Sequence, residues 1–346
     1  MPDRSTIYEV ARLSGVSTAT VSRVMGGGTG FSAATKERVL AAASELGWVP
    51  SGSARGLASK RSGIVGLVFP HLSTGESEYD QESPLFVDQV IRGAERAASA
   101  AGDAVLIAGA HGATGRDLAL SVASKVDGMV IMARSLVERD VAEIGRRVPV
   151  VSLAGGAGRH TLDVVGADNH TGAREITAHL LDHHGYRDVV FIGGPRRSPD
   201  AMARFAGHCE ALAASGLPVP DAPAASGDFT EAGGAEAMQE ALSTSTRAPR
   251  AVVVANDQMA FGALTTLRAN KFRVPTDVAV VGFDDLAAAR HTRPGLTTVR
   301  QPMRDLGEQA VQVLLDRIAF PSAERRQVVL PTHAVIRRSC GCTGRG

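Results

Sequence analysis

Cysteine is scarce in this sequence: Cys209, Cys340 and Cys342 are the only three in 346 residues. They are too few and too badly spaced for a disulfide framework or a four-ligand zinc site. The "CGC" near the end could bind a soft metal or form a strained disulfide, but a tail carrying two incidental thiols is the expected reading. Long apolar runs are missing as well. No segment approaches the roughly 18 to 20 consecutive apolar residues of a membrane span, and "MPDRSTIYEVARLSG" holds no apolar run of signal-peptide length. The expectation is a cytoplasmic chain. Nor does one sign of charge dominate, since 37 Lys/Arg face 36 Asp/Glu. Nucleotide-binding loops are also lacking. "GGGTG" at 26–30 follows a helical stretch and has no Lys-Ser/Thr ending, and "GAHGATG" at 109–115 lacks both the GxGxxG spacing and an acidic ribose partner. His179 and His183 are four apart, as a metal pair would be, but a zinc protease needs Glu at 180 where Leu180 stands; solvated helix histidines are expected.

What is present is a chain that is 44% hydrophobic, long enough for two or three domains with their own cores. Its charge is uneven. Residues 1–62 hold eight Lys/Arg against four Asp/Glu, and the remainder is net acidic, so the basic excess sits where phosphates would be met.

That basic segment reads as three short helices. Thr6 and Glu9 have capping-box spacing, and Ile7, Val10 and Ala11 make an apolar stripe. Gly15 suits a sharp interhelical turn and Ser17 an N-cap for a second helix. A third helix is expected from Ser32 to Leu46, with Val39, Ala43 and Leu46 inward and Gly47 as the stop. Two short helices joined at a glycine form a helix-turn-helix pattern. With Val21 and Val24 inward, Thr18, Ala19, Ser22 and Arg23 fall on the outer side. They suit either a major-groove reader or an ordinary solvated face.

From Gly63 onward, apolar runs alternate with helical stretches, the pattern of parallel α/β domains. Strands are expected at "IVGLVF", "DAVLIA", "GMVIMA", "VPVVSL", "DVVFIG", "AVVVAN" and "VAVVGF". Such sheets bind ligands at the carboxyl ends of their strands.

Several ordered motifs carry a resemblance over essentially the whole chain: "TIYEVARLSGVSTATVSRVM", "ATKERVLAAASELGWVPSGSARGLASKRSGIVGLVFP", "VVVANDQMAFGAL", "VAVVGFDDLAAARHTRPGLTTVRQP" and the closing "RRSCGC". With these the sequence resembles the lactose-repressor-like (LacI) family of bacterial transcription regulators. The resemblance implies an all-α helix-turn-helix headpiece (1–50), a hinge helix and linker (51–62), and a periplasmic-binding-protein-like core of two doubly wound parallel-sheet lobes (63–346). The first lobe would hold about 63–163 and 294–322, the second about 164–293 and 323–340, with three crossings between them. It also implies a dimer on a palindromic DNA site. Only four residues follow Cys342, which leaves no room for the leucine-heptad tail of tetrameric relatives. DNA contacts are expected from Thr6, Ser17, Thr18, Ala19, Thr20, Ser22, Arg23 and Ser32. Ala54, Arg55 and Leu57 would act in the hinge, with Leu57 as a minor-groove wedge. Gly52 and Gly56 each cost a helix about 1 kcal/mol relative to Ala, so hinge ordering would depend on DNA.

The resemblance further places an effector site on Arg204, Phe229, Asn256, Asp284 and Gln301. The long acidic loop "HLSTGESEYDQESPLF" would lid the cleft, contributing Ser73 and Phe86. Two positions depart from the family: Gly26 stands where Asn usually ends the recognition helix, and Ala154 replaces an acidic residue of some sugar-sensing members. The expected function is an effector-responsive repressor, not an enzyme, with no cofactor and no metal. A sugar or short oligosaccharide is the expected effector, and a nucleobase or other planar metabolite stacked on Phe229 the alternative. A solute-binding protein without a regulatory role would share the two-lobed fold but not the basic headpiece.

Overall fold

The protein is described from a computed structural model, which covers residues 5–26, 28–48, 61–70, 83–110, 112–155 and 161–343. Ala54, Arg55, Leu57 and Ser73 lie outside these residues. Contacts divide the chain into an N-terminal unit and a larger unit from Val65 onward.

In the N-terminal unit, α1 (Ile7–Ser14), α2 (Thr18–Met25) and α3 (Ala33–Glu45) enclose one small core. Val10, Val21, Val24 and Val39 are buried there with Ala11, Ala42 and Ala43, while Leu46 packs on it from the edge. The local signals act as their chemistry requires. The Glu9 carboxylate accepts from the Thr6 N–H at 2.7 Å, and Gly15 adopts φ 68°, the left-handed turn that joins α1 to α2. Ser17 and Ser32 cap α2 and α3 by accepting from Thr20 N and Thr35 N.

The larger unit contains two sheets with separate cores. Its elements, in order, are β1 (Ile64–Pro70), α4 (Pro84–Ala100), β2 (Ala104–Ala110), α5 (Gly112–Ala123), β3 (Gly128–Met132), α6 (Glu138–Gly145), β4 (Val150–Leu153) and β5 (Asp163–Ala167). Next come α7 (Asn169–Ala178), a π-turn (His179–His183), β6 (Val189–Gly193), α8 (Pro199–Ala214), β7 (Ala225–Ser226), α9 (Glu231–Thr244), β8 (Ala251–Val254), α10 (Asp257–Ala269) and β9 (Ala279–Val281). The chain closes with β10 (Thr298–Arg300), α11 (Met303–Ala319), β11 (Gln327–Leu330) and β12 (His333–Val335).

The first lobe's six-stranded sheet runs β11-β5-β4-β3-β1-β2, and the second lobe's four-stranded sheet runs β7-β6-β8-β9. Parallel pairing joins β11 through β1 in the first sheet and all neighbours in the second. Buried strands with helices between them need runs of Val, Ile and Ala, and "AVVV" of β8 is buried at every position. Helices α4 and α11 approach so closely that a Cβ on Gly93 or Gly307 would run into the backbone carbonyl of Arg304 or Val90.

The lobe boundaries differ from the expected 163/164, 293/294 and 322/323. Strand β5 belongs to the first lobe because Val164 and Val165 are buried alongside β4, and β11 joins the same sheet with Gln327 opposite Val164. Residues 295–300 stay with the second lobe. There Gly282 N and Asp284 N donate to Thr297 O and Val299 O, and β10 pairs antiparallel with β12. The three crossings therefore fall near 167, 300 and 330. Among the described residues, no helix is long and apolar enough to cross a membrane.

Candidate functional site

Two regions collect the expected site residues. On the N-terminal unit, Thr6, Ser17, Ala19, Arg23 and Ser32 are exposed, and Thr18, Thr20 and Ser22 are half-buried. They lie at the starts of α1 and α3 and along α2. The Arg23 guanidinium sits 5.2 Å from the centre of the Phe31 ring, so an aromatic face braces it on the surface. The Ser17 and Ser32 hydroxyls are committed to their caps, which leaves the first amides of eight-residue α2 and thirteen-residue α3 turned outward. Tyr8 was not among the expected residues and is 74% exposed. The sequence signal for its exposure was its place outside the Ile7–Val10–Ala11 stripe.

In the larger unit, Ser83, Phe86, Asp200, Arg204, Phe229, Asn256, Asp284 and Gln301 line one cleft. Six of these were expected from the sequence; Ser83 and Asp200 were not. Phe86 and Ser83 come from the first lobe at the start of α4, where Ser83 Oγ accepts from Phe86 N. The Ser83 hydroxyl also bonds to Gln258 of α10, tying the two lobes at the cleft mouth.

The second-lobe wall is built by helix starts. Ser198 caps α8, and Asp200 and Arg204, one turn apart, both turn inward. Arg204 donates to Asn169 Oδ1 at 2.7 Å and to the Ala255 carbonyl at 2.6 Å, and its guanidinium lies 3.8 Å from the Phe283 ring centre. Asn169 in turn donates to Asp200 at 2.9 Å. Asn256 is the cap of α10: its Oδ1 accepts from Met259 N while its Nδ2 donates to the Phe229 carbonyl. It therefore holds the turn in which Phe229 stands at φ 73°. That value shows why Phe229 is more than filler, because a bulky residue in the left-handed region is held there by its surroundings.

Asp284 leaves β9 at φ 122° and Asp285 follows at φ 55°. The turn is fixed from behind by Asp257, which accepts from Thr298 Oγ1 at 2.6 Å and from Leu286 N at 2.8 Å. Gln301, just ahead of α11, donates to Asp284 Oδ1 at 2.6 Å. Arg204 comes only to 3.7 Å from the same oxygen, beyond hydrogen-bond length. Burial pushes the Asp284 carboxyl up to about 6, against the pull of Arg204 and Gln301. Burial likewise pushes Asp200 up to about 6, against Arg204 and Arg134. The cleft thus offers two carboxylates short of donors, one guanidinium and two aromatic faces. Asp200 escaped the sequence reading although it stands one helical turn before Arg204 in "SPDAMAR".

The cysteines and histidines were read as incidental, with His179 and His183 the only spaced pair. The structure puts the rings of both His183 and His184 5.0 Å from that of His179, and brings His179 and His184 to Cys340 and Cys342.

Comparison with known proteins agrees with this division. Residues 6–51 match the model of bacterial regulatory proteins of the lacI family, and residues 177–340 match that of a periplasmic binding protein-like domain. The HTH-type transcriptional regulator CelR of Thermobifida fusca is 35% identical over 348 residues, covering 97% of this chain and 98% of CelR. A solved CelR–cellobiose complex superposes with a TM-score of 0.72 at 33% identity, covering 97% of this chain and 100% of that one. The lac repressor dimer bound to operator and the anti-inducer ONPF gives 0.84 at 28% identity, covering 98% and 99%.

Proposed function

The chain belongs to the LacI family of bacterial regulatory proteins and is a DNA-binding transcriptional regulator, and on that premise we propose that its operator affinity is set by a sugar or short oligosaccharide held in the interlobe cleft. The observation that carries the effector class is the donor-poor pair Asp200 and Asp284 beside Arg204. Sugar hydroxyls donate to carboxylates and accept from a guanidinium at once, whereas a planar base stacked on Phe229 offers few donors to the two carboxylates. The cellobiose bound by CelR is a molecule of this class. The cleft as it stands has room for about one water molecule, so it fits an arrangement of the lobes that the ligand would open or replace. Binding one arrangement better than the other is what shifts the regulator between DNA-competent and incompetent states.

The working species is a cytoplasmic homodimer on a palindromic operator, since one headpiece covers half a site. Thr18, Ala19 and Arg23 read the major groove, the amides at the starts of α2 and α3 take phosphates, and Leu57 wedges the minor groove.

Fluorescence anisotropy on DNA from the protein's own gene neighbourhood tests both halves. Specific binding should weaken by about 1–3 kcal/mol in Arg23→Ala. Cellobiose and related sugars should change operator affinity by about tenfold or more, within the usual range of allosteric coupling. A response to purines with none to sugars would overturn the effector class, and sequence-independent binding alone would overturn the operator reading.

A further inference from the structure

Outside the cleft, among the described residues, His179, His184, Cys340 and Cys342 bring one nitrogen or sulfur each to within 4.8 Å of one another. Cys342 Sγ lies 3.5 Å from His179 Nε2 and 3.4 Å from His184 Nε2. Zinc bonds of about 2.3 Å to sulfur and about 2.0 Å to nitrogen, at the tetrahedral angle, require S···N edges of about 3.5 Å. The two measured edges already have that length.

The local backbone is shaped to bring these four groups together. An α-helix would put residues five apart on different faces, but the π-turn His179–His183 closes i to i+5 and swings His184 beside His179, with ring centres 5.0 Å apart. The tail is then anchored ahead of the cysteines: Ser339 bonds to Val280 and Thr297, and the Tyr186 hydroxyl donates to the Cys340 carbonyl. Gly341 at φ 111° turns Cys342 back toward the imidazoles, and a Cβ there would meet Tyr186 Oη at 2.8 Å.

We propose that His179, His184, Cys340 and Cys342 form a four-ligand Zn²⁺ site that clips the C-terminal segment to the end of α7 in the second lobe. With four protein ligands it has no open position and is structural. On binding, each thiol releases its proton to water, and two thiolates balance the two charges of the ion.

The test uses the untagged full chain, freed of metal by chelation under anaerobic reducing conditions and titrated with Zn²⁺ and with Co²⁺ as a spectroscopic substitute. One ion per chain is expected, with thiolate-to-cobalt charge transfer, intense tetrahedral bands and a Tm raised by a few degrees. Cys342→Ser and His184→Gln, both at half-buried positions, should each weaken binding about a hundredfold or more with unchanged far-UV circular dichroism, while Cys209→Ser should bind as before. Weak octahedral cobalt binding, retention of full affinity in Cys342→Ser, or loss of both thiols to a Cys340–Cys342 disulfide under those conditions would overturn the proposal.

Discussion

Among the described residues of the larger unit two arginines are buried, Arg317 at 3% exposure and Arg204 at 4%, and each faces an aspartate. Arg317 grips Asp163 with two bonds of 2.8 and 3.0 Å and donates further to the carbonyls of Pro321 and Glu324. Asp163 also accepts from Arg326 N at 2.8 Å. Burial pushes the Asp163 carboxyl up, but these bonds outweigh it and hold the group below the usual carboxylate range. Arg204 spends its bonds on Asn169 and a carbonyl and leaves Asp284 at 3.7 Å, with the carboxyl raised to about 6. The first pair is complete and locks β5 to α11. The second is left incomplete at the wall of a cleft, as a ligand site requires. A finished buried ion pair is architecture; an unfinished one points to what is meant to finish it.

The comparison breaks most sharply by removing each arginine. Arg317→Met leaves buried Asp163 with the more exposed Arg325 and the Arg326 N–H as its remaining partners and should lower stability by about 3–5 kcal/mol in urea unfolding. Arg204→Met should cost less, about 1–3 kcal/mol, because Asp284 can take up a proton in its place. Its main effect should be an effector affinity reduced at least about tenfold by calorimetry, in line with loss of a charged hydrogen bond. Equal stability losses would erase the distinction.

A pH series sharpens it. Asp200 and Asp284 hold protons more tightly folded than unfolded, so their contribution to ligand-free stability falls as pH rises from about 3.8 to about 6 and is constant above. Asp163 acts in the opposite sense: its contribution is present above the ordinary value of 3.8 and is lost as pH falls through its lowered one. A ligand that donates to the ionised carboxylates should bind more weakly below pH 6 and release protons on binding there, which calorimetry in two buffers of different ionisation enthalpy reads directly. The smallest effect is expected from Asp200→Asn. It should leave affinity at neutral pH within about fivefold, roughly 1 kcal/mol, while removing part of that pH dependence.

Much of this was legible in the chain. The headpiece could be read because three short helices leave few ways to bury Val10, Val21, Val24 and Val39, and the central strands because "IVGLVF" and "AVVVAN" are too apolar to lie anywhere but inside. Strand β5 hid because "DVVGA" has two valines and opens on a charge, and that charge is neutralised by Arg317 and Arg325, 154 and 162 residues later. Strand β11 hid because it is an edge, with Gln327 and Val329 exposed. In the cleft, side chains on family motifs were found, and Asp200 was not, because nothing local says which face of "SPDAMAR" meets the ligand. The His/Cys cluster was invisible for the same reason. Its halves are distant in sequence, and the π-turn that matches His179 to His184 has no signature in spacing.

The three crossings also bear on the order in which the protein can be made. Strands β6 to β9 of the second sheet occupy residues 189–281, so that sheet can close once they have left the ribosome. The first sheet lacks its edge strand β11 and its covering helix α11 until residues 303–330 are synthesised. The first lobe is therefore completed only near the end of the chain, just before β12 and the tail complete the second, and until then Asp163 waits without Arg317, which has not yet been translated.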